Sequence, residues 1–447
     1  MKKTVILGAG ESGTGAALLA QAQGLDVFVS DASLIAPIYK EELITYGIAF
    51  EEQQHSPAAI LDADEVVKSP GIPPSVPIVQ AIRAAGIPII DEIELASRYT
   101  QAFLIGITGT NGKTTTTHLT YHLLQVAGLN VEMAGNVGTS FARKVWEGAH
   151  DYYVLELSSF QLEGMYQFKA DVACLLNITA DHLDRYAYQM EAYVQAKFRI
   201  LQNMGSQEYF IYSQEDPQTS AYLQSHAILP TQYPVSLIAP VSPGAYAQAE
   251  AMHFAMAHSA PFSIPMATLK LPGSHHQRNA MMAITVANLV GINPDTIQTA
   301  LATFQGIPHR TEWVAEIEGV HFYNDSKATN VAATQAALQS FTQPIIWIAG
   351  GQDKGNDYTA LQPLVQARVK TLLCLGQDNE KLRHAFQPLV ASVYETKQVE
   401  EVVALACKLA QPGDVVLLSP ACASYDLFQN FEERGNRFKQ AVLQVLG

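Results

Sequence analysis

The residues best placed to do chemistry form the run Gly106-Ile-Thr-Gly109-Thr110-Asn111-Gly112-Lys113-Thr114-Thr115, set between an apolar stretch and an amphipathic one. Glycines let a turn bring backbone N–H groups close to phosphate oxygens, and a helix starting there adds a favourable dipole. In that setting a lysine such as Lys113 pairs with the β/γ-phosphates and the hydroxyl of Thr114 ligates Mg²⁺. The step from Gly106 to Gly112 is six residues, one longer than the usual G-x-x-x-x-G-K-S/T spacing. A glycine turn followed by a chance Lys-Thr is the plain alternative, and the strand–turn–helix context argues against it. The run is read as a nucleotide-phosphate loop.

A second glycine run, Gly8-Ala-Gly10-Glu-Ser12-Gly13-Thr-Gly15, follows the first apolar stretch, with Asp31 at the end of the next. Alone this resembles a dinucleotide fingerprint with an acidic ribose partner. Such a run also serves other phosphate-bearing ligands and simple tight packing. The phosphate loop downstream and the lack of a hydride-transfer constellation favour a second nucleotide-containing substrate over NAD.

Further candidates follow apolar stretches. Glu156, in Leu155-Glu156-Leu-Ser158-Ser159-Phe-Gln161-Leu-Glu163, is placed to ligate or position Mg²⁺. His182 lies among acids in Asp181-His182-Leu-Asp184. Lys197, on a predicted helix, reads from its residue type as a solvated face residue. Arg310 and Lys327, the latter in Asn324-Asp325-Ser-Lys327-Ala-Thr329-Asn330, suit a clamp on a transferring phosphoryl group. Asp325 beside Lys327 is equally readable as a turn with a surface ion pair. Gly350-Gly-Gln-Asp353-Lys354-Gly355 and the segment from Ser419 to Gly435 (SPACASYDLFQNFEERG) complete the set. The latter offers hydroxyls and backbone donors to an anion, with a helix N-cap at Ser424 as the bland alternative.

To position these groups, short apolar strands must alternate with amphipathic helices, the pattern of α/β domains with parallel sheets. Strands are predicted at 4–7, 26–30, 87–90, 103–107, 152–157, 171–178, 344–349, 371–375 and 415–418, and helices near 279–290 and 294–304. Residues 91–101 read as a connecting helix and 240–262 as a surface loop or hairpin insertion. The chemically suggestive residues follow the C-terminal ends of strands, where open α/β sheets bind ligands.

The 447-residue chain carries a formal net charge of −15, which disfavours nucleic acid or an anionic membrane as partner. An anionic ligand must therefore be held by a local cluster of cations and backbone donors. The four cysteines are widely spaced, so free thiols are expected rather than a disulfide framework or zinc site. No apolar run is long enough to span a membrane, and a cytoplasmic location is expected.

Taken together, these segments resemble the Mur ligase family over essentially the whole chain, most closely its D-glutamate-adding branch. The discriminating pieces are LELSSFQLE and SPACASYDLFQNFEERG; relatives adding L-alanine, a diamino acid or a dipeptide differ there. The resemblance implies three α/β domains: a Rossmann-like UDP-sugar domain at 1–95, a central P-loop ATPase domain with a mostly parallel sheet at 96–306, and a Rossmann-like amino-acid domain at 307–447. It implies ATP-dependent joining of D-glutamate to UDP-N-acetylmuramoyl-L-alanine through an acyl phosphate, for peptidoglycan synthesis, by a monomer.

Carried over by residue, the resemblance assigns Ser12, Asp31, Ser69, Gly71, Asn136, Ser158, Gln161 and His182 to the UDP-sugar substrate. Gly109, Thr110, Asn111, Gly112, Lys113, Thr114, Thr115, Asn279, Arg310, Asp325 and Lys327 match ATP contacts. Thr329, Lys354, Ser424 and Phe431 match the D-glutamate site. Two Mg²⁺ sites are implied, with Thr114, Glu156, His182 and Lys197 around them, the lysine modified by CO₂ to a carbamate. Lys113, His182, Lys197 and Lys327 would be catalytic. One departure stands out: His275-His276 occupies a place where the family commonly has His-Asn. Other readings remain: a folate polyglutamate-adding relative, a P-loop switch that hydrolyses nucleotide without ligation, or an NAD-dependent dehydrogenase.

Overall fold

A parallel strand covered on both faces needs a near-continuous apolar run, and Val5, Ile6 and Leu7 are all fully buried. They lie in a computed structural model that describes residues 2–446 apart from His182, His258 and Lys354. The first sheet contains β1 (Lys3–Leu7), β2 (Asp26–Ser30), β3 (Ala49–Glu51), β4 (Glu65–Lys68) and β5 (Ile89–Ile90), parallel and ordered β3-β2-β1-β4-β5.

The second sheet is built from β6 (Phe103–Thr108), β7 (Val131–Gly135), β8 (Tyr152–Glu156), β9 (Val172–Leu175), β10 (Tyr209–Ser213), β11 (Thr231–Ser236), β12 (Gly244–Gln248), β13 (Ala251–Ala255) and β14 (Phe262–Pro265). Its order, β14-β13-β12-β11-β10-β9-β6-β8-β7, puts β6 between β8 and β9, so the loop after β6 emerges where the chain order reverses. Residues 240–262 include β12, which pairs parallel with β11, and β13, after which β13 and β14 extend the sheet by antiparallel pairing.

A third sheet holds β15 (Glu312–Ile317), β16 (Val320–Asn324), β17 (Ile345–Ala349), β18 (Val369–Leu375), β19 (Ser392–Thr396) and β20 (Val415–Leu418), ordered β15-β16-β20-β17-β18-β19. The β15–β16 hairpin is its antiparallel part, turning at Gly319 with φ +78°; its strands lie outside the predicted set. The architecture is α/β throughout, three mostly parallel sheets with flanking helices. The chain forms two compact units. One runs to Met266 and includes Arg278–Leu301, carrying the first two sheets; the other comprises Ala267–Gln277 and Ala302 onward, carrying the third. All four cysteines are free thiols. Among the described residues no helix is long and apolar enough to cross a membrane.

The glycine run after β1 is explained mainly by packing. A Cβ on Gly13 would lie 1.8 Å from the Gly8 carbonyl oxygen, so the helix Glu11–Ala22 sits directly on the turn. A Cβ on Gly15 would meet Ser140 Oγ at 2.4 Å, letting this helix approach the helix Phe141–Glu147. Arg143 fixes that contact, pairing with Glu11 at 2.9 Å and with both Glu42 oxygens at 2.8 and 2.9 Å. Around Gly10, by contrast, a Cβ would meet nothing within 4 Å.

The connecting helix Glu92–Ser97 is bound by buried carboxylates. Asp91 caps its N-terminus by accepting from Ile93 N at 3.0 Å. Glu92 accepts from Ser140 Oγ and from the backbone of Phe141 and Ala142, at the start of the helix Phe141–Glu147; burial pushes its pKa up to about 7. Glu94 accepts from the backbone N–H groups of Tyr166, Gln167 and Phe168. Gly13→Ala is expected to destabilise the first unit by ~2–3 kcal/mol through overpacking, whereas Gly10→Ala costs less than ~1 kcal/mol. Urea unfolding of the two variants checks this; equal midpoints would contradict it.

Candidate active site

The loop after β6 has the shape its sequence implies. Gly112 adopts φ +86° and begins the helix Lys113–Val126, leaving the first-turn N–H groups of Lys113, Thr114 and Thr115 at an open helix N-terminus. A Cβ on Gly112 would lie 2.8 Å from Asn279 Oδ1, so the buried Asn279 amide packs against the loop. Strand β9 leads into a cradle for the same loop. Thr110 N donates to the Asn177 carbonyl and Asn111 N to Asn177 Oδ1, each at 2.9 Å. Thr110 Oγ1 donates to the Thr179 carbonyl at 3.1 Å and lies 3.2 Å from Tyr193 OH.

Two lysines point into this loop. Lys113 Nζ donates to the carbonyls of Gly109 and Thr110, each at 2.9 Å, and Lys197 Nζ donates to Gly109 O at 2.8 Å. Lys197 is only 1% exposed, so its reading as a solvated face residue is overturned: its helix, Met190–Phe198, turns that position toward the loop. Burial, and then repulsion from Lys113, pushes the Lys197 pKa down to about 7. Burial also lowers that of Lys113, opposed by Glu156 and Asp181.

Glu156, at the end of β8, is 2% exposed. Its Oε1 accepts from Asn136 Nδ2 at 2.8 Å, while its Oε2 is buried without a hydrogen-bond partner among the described residues. An orphaned carboxylate oxygen beside a phosphate loop fits a divalent cation. No cluster of three acidic, His or Cys ligands occurs among the described residues. Mg²⁺ is commonly held by one or two carboxylates plus phosphates and water. Thr114 and Glu156 are the residues on hand to hold it; His182 lies outside the described residues.

Around the first sheet, Asp31 accepts from the backbone of Ala9 at 2.7 Å and of Ser33 at 2.8 Å, holding the glycine turn in place. Ser69 follows β4, and a Cβ on Gly8 would lie 2.6 Å from its hydroxyl. Ser12 is half-buried in the first turn of its helix, and Gly71 is exposed. Ser158 and Gln161 form a capping box at the helix Ser159–Glu163. A cavity of about 320 Å³ lies among these elements, lined by Lys68, Arg83, Arg185 and Phe160. It adjoins the Ser69 and Gln161 segments rather than the phosphate loop.

In the second unit, the candidates other than Arg310, which precedes β15, follow three neighbouring strands in the chain, β16, β20 and β17. His309 and Thr311 flank Arg310 with φ +64° and +44°, and Lys327 N donates to the His309 carbonyl at 3.0 Å. The Arg310 and Lys327 loops are thereby joined, with both side chains exposed. Asp325 is no surface ion-pair partner. It is buried, accepts from Thr311 N at 3.0 Å and Ser419 Oγ at 2.8 Å, and burial pushes its pKa up to about 7. Lys327 Nζ lies 5.3 Å from the Phe431 ring centre. Ser424 is not the cap of the long C-terminal helix, which starts at Phe431 with Asn430 Oδ1 accepting from Glu433 N. Thr329 is half-buried beside Lys327; Lys354 lies outside the described residues. Burial drives the His276 pKa down to about 3, and its Nδ1 has no hydrogen-bond partner among the described residues.

Sequence reasoning does not single out Asn177 or Arg434 as site residues, although Arg434 stands in the Ser419–Gly435 segment. Asn177 directly follows a strand that ends beside β6, the one local signal that could have marked it.

Comparison with known proteins places the whole chain in one family. Residues 2–91 match the model of a Mur ligase MurD-like N-terminal domain, residues 107–287 the Mur ligase middle domain, and residues 309–422 the Mur ligase glutamate ligase domain. A UDP-N-acetylmuramoylalanine–D-glutamate ligase of Bacteroides fragilis is 50% identical over 446 residues, covering 100% of both chains. One from Porphyromonas gingivalis is 49% identical over 442 residues, covering 99% of this chain and 98% of its own. Among solved structures, a UDP-N-acetylmuramate–alanine ligase of Thermotoga maritima shares the fold with TM-score 0.55 and 19% identity, covering 100% of each chain. A MurF ligase of the same organism, in complex with ADP, aligns with TM-score 0.58 and 15% identity over 94% of this chain and 96% of its own. The chain belongs to the Mur ligase family.

Proposed function

We propose that this protein joins D-glutamate to UDP-N-acetylmuramoyl-L-alanine at the expense of ATP, in peptidoglycan precursor synthesis. The observation that carries the reading is the phosphate loop with Lys113 and Lys197 on one carbonyl, in a chain about half identical along its length to ligases of that name. Residues 1–95 would bind the UDP-sugar, 96–306 ATP and 307–447 the amino acid, in a cytoplasmic monomer.

The N-terminus of the helix Lys113–Val126 and Lys113 hold the phosphates. Bound Mg²⁺, ligated by Thr114 and the free Glu156 oxygen, supplies charge neutralisation to the transferring phosphoryl group. A substrate carboxylate oxygen bonds to the γ-phosphorus as the bridging P–O bond breaks, giving ADP and an acyl phosphate. The D-glutamate amine then bonds to the acyl carbon, phosphate leaves, and the nitrogen loses a proton. Ser12, Asp31, Ser69, Gly71, Asn136, Ser158 and Gln161 are assigned to the sugar nucleotide, and His182 to that substrate and a second metal. Asn279, Arg310, Asp325 and Lys327 are assigned to ATP, with Arg310 and Lys327 neutralising developing charge. Thr329, Lys354, Ser424 and Phe431 are assigned to D-glutamate.

Lys197 is suited to become a carbamate. Its neutral amine would attack CO₂, form an N–C bond and release a proton, turning a repelled cation into an anion beside Lys113. With a pKa about 7, the neutral fraction is ~10% at pH 6 and ~90% at pH 8. The shift also has a stability sign: the unfolded lysine, near 10.5, binds more protons, so stability rises with pH between about 7 and 10.5.

Phosphate release is expected only with ATP, Mg²⁺, UDP-N-acetylmuramoyl-L-alanine and D-glutamate together. Activity with L-alanine or a diamino acid and none with D-glutamate would overturn the substrate assignment; release without any amino acid would indicate a nucleotide switch. With ¹³C-bicarbonate, NMR should show a lysine carbamate at pH 8 that fades below pH 7 and is missing from Lys197→Ala. A fully active Lys197→Ala enzyme would remove this role.

A further inference from the structure

Arg434 is 1% exposed, and the carboxylate of Asp426 acts on it from a distance, with no hydrogen bond joining the two among the described residues. A buried charge without a counter-ion costs several kcal/mol unless its hydrogen bonds are satisfied. Here every contact goes to a loop. Nε donates to Ser326 Oγ at 3.0 Å and Nη2 to the Ser326 carbonyl at 2.9 Å. Nη1 donates to the Gly350 carbonyl, and both terminal nitrogens to the Cys422 carbonyl, each at 3.3 Å. Burial lowers the guanidinium pKa only to about 10, so it stays charged at neutral pH.

These acceptors belong to the three loops that follow β16, β17 and β20, neighbours in the sheet. The surrounding backbone is shaped to admit the guanidinium. A Cβ on Gly351 would lie 2.2 Å from the Ala423 carbonyl and 3.1 Å from Arg434 Nη1. Gln352 and Ala423 form a backbone bridge between two of the loops, and Ser326 Oγ donates to the Phe431 carbonyl at 2.8 Å. The same loops and helix start carry Thr329, Lys354, Ser424 and Phe431.

We infer that Arg434 is a positioning residue for the amino-acid substrate: its planar fork sets the spacing of the three loops and places a fixed positive charge behind them. Resting on the D-glutamate reading above, this makes the residue act through its neighbours, without touching substrate. A planar fork with five donors does this; a lysine, with one point of attachment, cannot reach all three carbonyls.

The test is steady-state kinetics on Arg434→Lys, Arg434→Gln and Ser326→Ala, each checked for folding by circular dichroism and thermal melting. Both Arg434 variants should raise the KM for D-glutamate by at least ~10-fold while leaving the KM for ATP within ~3-fold. Ser326→Ala, which keeps the guanidinium and removes one acceptor, should shift the D-glutamate KM in the same direction by less. A folded Arg434→Lys with an unchanged D-glutamate KM would overturn the inference, as would a parallel rise in both KM values. If both Arg434 variants fail to fold, Ser326→Ala decides, and an unchanged D-glutamate KM there overturns it. Wild-type protein that does not use D-glutamate at all would instead remove the substrate reading beneath it.

Discussion

Two lysine side chains share one carbonyl oxygen at Gly109, with Lys113 and Lys197 donating to it at 2.9 and 2.8 Å. Like charges so close in a poorly solvated place repel strongly, and the loop is therefore built to receive anions. The helix N-terminus behind Gly112 adds to the same field. Nucleotide phosphates would relieve the repulsion from one side, and the carbamate proposed for Lys197 would relieve it at its source. The Glu156 oxygen that has no partner among the described residues would be available to a cation.

Sheet order carries these groups to one edge. In the first unit, β8, β6 and β9 are neighbours, so Glu156, the phosphate loop and Asn177 share the C-terminal end of three adjacent strands. The second unit repeats the device with β16, β20 and β17, whose following loops bear the assigned amino-acid contacts. In both units a buried basic side chain donates to backbone carbonyls: Lys197 to Gly109, and Arg434 to Gly350, Cys422 and Ser326. The Arg434 guanidinium, held by three loops, is a positive charge fixed in position in a chain of net charge −15.

What was legible in the sequence was local. The loop from Gly106 to Thr114 announces its turn through glycines, and Glu156 announces its place by following an apolar strand. Three features were not legible because they depend on contacts across the chain. The burial of Lys197 requires the Gly109 carbonyl, 88 residues away; on its helix it looks like any exposed lysine. Asp325 reads as half of a surface pair until Ser419, 94 residues on, is seen beneath it. Gly13 and Gly15 resemble a phosphate fingerprint, yet their missing side chains make room for the Gly8 carbonyl and for Ser140. The β15–β16 hairpin escaped because Glu312, Glu316 and His321 break up its apolar pattern.

The chemistry assigned to the phosphate loop is best tested by following oxygen. With the alanyl carboxylate of UDP-N-acetylmuramoyl-L-alanine labelled with ¹⁸O, phosphorylation at that carboxylate followed by amine attack transfers one labelled oxygen to the released phosphate. Phosphorus NMR should therefore show singly labelled phosphate in step with amide formation. Unlabelled phosphate accompanying amide product would mean that the carboxylate never bonded to the γ-phosphorus, and the role given to Lys113, Glu156 and Lys197 would be wrong.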